Sequence, residues 1–66
     1  MTQVHGSFVI TMIPGFVKIE DLKSPKTVNA WGAKADRAAR RFTRLLAKGG
    51  EDDAAIWLCQ KVCNGF

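Results

Sequence analysis

The period of the apolar positions changes along this chain. Phe8 to Ile13 reads Phe-Val-Ile-Thr-Met-Ile, dense in β-branched and aromatic residues. A strand there puts Phe8, Ile10 and Met12 on one side and Val9, Thr11 and Ile13 on the other. Both sides are largely apolar, which predicts an inner strand or one covered on both faces. Pro14-Gly15 interrupts the run. Proline presets the first turn position and glycine accepts positive φ at the second, as a type II turn requires. Phe16 to Glu20 then alternates, with Val17 and Ile19 inward and Lys18 and Glu20 outward, and reads as an edge strand. The prediction is a β-hairpin over about residues 4–20, after a loose start at 1–3. Type II turns are not the favoured closure of tight hairpins, so a looser connection is expected.

From residue 24 the spacing lengthens. Trp31, Ala35, Ala38, Phe42 and Leu45 recur at 4, 3, 4, 3 and fall within an arc of roughly 80° on a helix. Leu46 and Ala39 widen that stripe. The pattern predicts one amphipathic helix over about 25–48, with Ser24 as N-cap and Pro25 at the first helical position. Two features weaken its first turns. Lys23 and Lys26 stand at the positive end of the helix dipole, and Gly32 costs about 1 kcal/mol relative to alanine in a helix interior. A regular helix starting later, near Asn29 or Ala33, accommodates both. Gly49-Gly50 ends it, with Gly49 suited to the left-handed position.

A second helix is predicted over about 52–63. Glu51, Asp52 and Asp53 bring negative charge to its start, and Asp52 can cap. Its apolar set is Ala55, Ile56, Leu58, Cys59, Val62 and Cys63, with Trp57 off the centre. Gly65 closes it, and Phe66 tucks back against the body. The fold class is therefore α+β, one small domain over residues 1–66: an N-terminal β-hairpin packed on an antiparallel αα-hairpin. A two-stranded hairpin alone is marginal in water, so the helices must cover it.

Charge adds a functional clue. The chain of 66 residues carries ten Lys and Arg against six acids, a net charge of +4. Six of those ten cations lie on one flank of the first helix. Lys34, Arg37, Arg41, Arg44 and Lys48 form a ridge, and Arg40 extends it toward the outer face. Asp36 is placed to pair with Arg40 at i, i+4. A solvated face normally mixes glutamate with lysine; this one is rich in arginine, whose planar fork suits carboxylates and phosphates. Either Trp31 or Trp57, if exposed beside the ridge, would serve as an anchor.

Other chemistry is thin. Cys59 and Cys63 on adjacent turns do not meet disulfide geometry and read as buried thiols. His5, the one histidine, reads as a surface or half-buried residue. No nucleophile, base and orienter can be assembled, so no enzyme activity, metal or cofactor is expected. No apolar run reaches the roughly 18 residues of a membrane span. No secretory signal and no cysteine framework are evident, which points to the cytoplasm.

These observations lead to a small non-enzymatic protein that docks on an acidic protein surface or a nucleoprotein complex through Lys34, Arg37, Arg40, Arg41, Arg44 and Lys48. In size and style it resembles the small inhibitor and modulator proteins of phages and plasmids, anti-CRISPR proteins among them; the resemblance carries over no residue. The alternatives are nonspecific contact with DNA or RNA phosphates and a structural homodimer through the heptad-spaced stripe Trp31, Ala35, Ala38, Phe42 and Leu45.

Overall fold

Among the described residues four strands, not two, precede the helices. The structure, a computed structural model, describes residues 1–24 and 26–65. Its elements are β1 (Thr2–His5), β2 (Phe8–Ile13), β3 (Phe16–Asp21), β4 (Lys26–Trp31), α1 (Ala33–Lys48) and α2 (Gly50–Asn64). The strands form one antiparallel sheet in the order β1-β2-β3-β4. Both helices cover one face of it, so the architecture is the α+β class that the pattern predicts.

The chain start is ordered rather than loose. β1 pairs with β2, and Met1 and Met12 exchange backbone hydrogen bonds of 2.7 Å. The pairing of His5 with Phe8 leaves Gly6-Ser7 as a two-residue turn, with Gly6 at φ 61°. Glycine at the first central position suits a tight hairpin. The pairing of Ile13 with Phe16 likewise confines the next turn to Pro14-Gly15, with Gly15 at φ 78°. That connection is tight, against the looser one expected. β3 is not an edge either, because β4 hydrogen-bonds along its other side.

The largest correction concerns residues 24–32, expected as the first turns of the helix. Here Val28 and Ala30 are buried while Thr27, Asn29 and Trp31 are exposed, which is the two-residue period of a strand. Pairing with β3 supplies the ladder bonds for β4, and β-branched Thr27 and Val28 suit a pleated surface. The proposed role of Pro25 at the first helical position lies outside the described residues, as does the packing of Phe66. Gly32, at φ 65° and ψ −139°, breaks the strand, and the helix begins at Ala33.

The core lies between the sheet and the helices. Phe8, Ile10, Val17, Ile19, Val28 and Ala30 point into it from the strands, and Ala35, Ala38, Phe42, Ala54, Trp57 and Leu58 from the helices. Phe42 connects the layers. Its ring meets Phe8 edge-on at 5.1 Å and Trp57 at 5.8 Å. Asp21 is buried at the end of β3, where its carboxylate accepts from the Lys23 backbone N–H at 3.0 Å and the Ser7 hydroxyl at 3.5 Å.

α2 buries Ala54, Trp57 and Leu58, whereas Ile56, Val62 and Cys63 are exposed and Cys59 is half-buried. The expected apolar face is therefore rotated. Apolar residues lie nearly all round this helix, so packing against α1 and β4 decides which are covered. Gly50 (φ 76°), not Gly49 (φ −103°), takes the left-handed conformation between the helices, and neither helix has a side-chain cap. Gly65 closes α2 as predicted, its N–H donating to the Lys61 carbonyl at 2.8 Å.

Candidate functional site

The basic flank of α1 meets α2 along a groove of about 450 Å³. Lys34, Arg37, Ala38 and Arg41 line it from α1; Trp57, Gln60 and Lys61 line it from α2. The spacing explains the first wall, since steps of three and four keep residues on one side of a helix. Antiparallel packing supplies the second wall, by bringing the end of α2 beside the start of α1. Trp57 and Ala38 are buried beneath the rim, and the Lys61 Nζ lies 5.9 Å from the Trp57 ring centroid. Lys34, Arg37 and Arg41 are exposed. Among the described residues that line this groove, none is acidic. A cleft with walls of one sign concentrates the field and draws opposite charge into it.

The groove has a direction. Toward the interhelical glycines it continues past Arg41 to Leu45, Asp53 and Ile56. Asp53 lowers the positive potential there, and Ile56, 59% exposed, forms an apolar lip. At the opposite end a shallow hollow is lined by Asn29, Ala30, Trp31, Ala33, Lys34, Arg37 and Gly65. Lys34 and Arg37 belong to both depressions, so the surface is continuous from the helix groove to Trp31. The uncapped start of α1 lies at this end, adding the positive end of its dipole, which Asp36 in the first turn partly offsets.

Six cations were expected to act as one ridge: Lys34, Arg37, Arg40, Arg41, Arg44 and Lys48. The structure brings Lys34, Arg37 and Arg41 together at the groove. Arg40 and Arg44 line a separate shallow depression with Ala39, Thr43 and Ala47, and Lys48 lines neither. Among the described residues none of the six makes an ion pair, and the expected Asp36–Arg40 pair does not form. Sequence reasoning missed Gln60 and Lys61 as the opposite wall. A lone lysine in the last turns of α2 is a weak signal until the helices are paired.

Trp31 was placed on the helix stripe but stands on the open face of the sheet, 64% exposed. Its ring lies 5.4 Å from that of Phe16, its register partner. The cysteines are not both buried as expected: Cys59 is half-buried and Cys63 exposed, and neither is disulfide-bonded. His5 is half-buried, with its Nε2 3.3 Å from the Gln3 side-chain oxygen. Among the described residues no group of three or more His, Cys, Asp or Glu is placed to hold a metal ion, and no helix is long and apolar enough to cross a membrane.

No family model, curated protein or solved structure matches the chain. The geometry of the groove carries the functional argument.

Proposed function

We propose that this protein is a non-enzymatic binding module that holds an anionic segment of a macromolecular partner, an acidic protein surface or a nucleoprotein, in the groove between α1 and α2. The observation that carries this reading is the convergence of Lys34, Arg37 and Arg41 on one groove whose lining between the two helices holds no acid among the described residues. Arginine forks give paired, directional hydrogen bonds to carboxylate or phosphate oxygens. The apolar floor of Trp57 and Ala38 keeps part of the groove away from water, which strengthens those contacts. The free thiols of Cys59 and Cys63 suit a reducing, cytoplasmic setting.

Direct binding of nucleic-acid phosphates is the second reading, favoured by the exposed Trp31 at the groove's end. The heptad-stripe homodimer loses support. Ala35, Ala38 and Phe42 are already buried in the protein's own core, and Trp31 belongs to a strand.

Binding of the purified protein to fluorescent oligoglutamate, oligothymidylate and duplex DNA across a salt series tests the proposal. At least one polyanion should bind at low salt and weaken as salt rises. Joint replacement Lys34→Glu, Arg37→Glu and Arg41→Glu should abolish that binding and leave the circular dichroism spectrum unchanged. Arg40→Glu with Arg44→Glu should weaken it by less. A folded triple variant that binds like the parent overturns the proposal, as does absence of binding to every polyanion.

A further inference from the structure

We infer that the groove and the Trp31 end of the sheet together form a binding surface for single-stranded nucleic acid, with phosphates on Lys34, Arg37 and Arg41 and a base stacked on Trp31. The inference rests on the groove reading above and names the chemistry of its ligand.

Register orders the side chains of the sheet's open face into rows. Ile13, Phe16 and Trp31 form the row at one end. Thr2, Thr11, Lys18 and Asn29 form the next row. Val4, Val9, Glu20 and Thr27 form the row at the other end. The helices lie on the opposite face, so no described element covers these rows. The apolar residues do not make one patch, because the polar row separates Val4 and Val9 from the aromatic end. A stable protein partner or second copy would need roughly 800 Å² per side with an apolar centre. This face is divided where such a centre would be.

The aromatic end suits a different occupant. A single strand repeats two features, one charge and one planar base per nucleotide. Proteins that hold single strands answer with a cationic track and aromatic rings on which bases stack. Sheet-borne aromatic side chains serve this purpose for unpaired RNA bases. Here the hollow that Trp31 helps to line is also lined by Lys34 and Arg37, the cations that open the helix groove. Phe16 supports the ring from the neighbouring strand. Asn29 lies in that same hollow and in the adjoining row, placed to hydrogen-bond a base edge. An acidic peptide would find its charges matched in the groove but would leave Trp31 unused. Duplex DNA would present phosphates while keeping its bases stacked internally, out of reach of the ring.

The test compares oligothymidylate with an abasic strand of equal length, both titrated into wild-type protein, Trp31→Ala, Trp31→Phe and the folded Lys34/Arg37/Arg41→Glu variant. Wild-type protein should prefer oligothymidylate to the abasic strand and to duplex DNA. Trp31→Ala should lose about 10- to 100-fold in affinity for oligothymidylate and change little toward the abasic strand, while Trp31→Phe recovers most of the loss. Three phosphate contacts predict a log–log salt slope of about −2 on the single strand. Equal binding of the abasic strand, or unchanged binding by Trp31→Ala, overturns the inference and leaves the groove reading standing. Binding of oligoglutamate or duplex in preference to the single strand also overturns it without touching the groove. Failure of every polyanion to bind removes both.

Discussion

The two sides of Gly32 follow one apolar spacing but obey different physics. After it, Ala35, Ala38 and Phe42 enter the core of a regular helix, as their steps of three and four predict. Before it, Trp31 fits the same stripe by number yet belongs to β4 and faces solvent. Spacing alone cannot distinguish these cases. The shorter alternation of Val28 and Ala30 against Thr27, Asn29 and Trp31 competes with the helical period. It prevails because β3 has an open edge to be paired. The difference also bears on the proposed function, since it moves a tryptophan from the expected core to the end of a cationic groove.

Three experiments separate the two regions. Phe42→Ala should have the largest effect. The ring is 0% exposed and joins Phe8 to Trp57, so its loss should cost about 3–5 kcal/mol in chemical denaturation. A small change would mean that the two layers do not meet at this ring.

Gly32→Ala should be next, and its sign is diagnostic. At φ 65° a side chain is strained, and an added Cβ meets nothing within 4 Å, so the whole effect is in the backbone. A loss of about 1–3 kcal/mol is predicted. Were the helix to run through residue 32, the same change would stabilise the protein by about 1 kcal/mol.

The smallest effect belongs to the pair on the open face. A double-mutant cycle of Phe16→Ala and Trp31→Ala should give a coupling of about 0.5–1.5 kcal/mol from the ring contact. Trp31→Ala should stay folded. A loss as large as that from Phe42→Ala would place Trp31 in the core after all.

Much of the fold was legible where one period dominates. β2 and β3 announced themselves through β-branched residues and the Pro14-Gly15 break, and residues 33–48 through a stripe with little competition. β1 was not legible, because Thr2-Gln3-Val4-His5 gains its order from pairing with β2 rather than from its own apolar content. The buried face of α2 was obscured by Ile56, Val62 and Cys63, apolar side chains that packing leaves exposed. The basic flank was readable residue by residue, but its division was not. Lys34, Arg37 and Arg41 part from Arg40 and Arg44 only when α2 arrives beside them with Gln60 and Lys61.

The most direct measurement is a titration of isotope-labelled protein with oligothymidylate, followed by NMR at every backbone amide and both indole N–H groups. Binding at this surface predicts shifts at the Trp31 indole and at Asn29, Lys34, Arg37, Arg41 and Lys61, with little change at Val4, Val9, Arg40, Thr43 and Arg44. Shifts confined to the outer side of α1, or to the Val4 and Val9 end of the sheet, would contradict it.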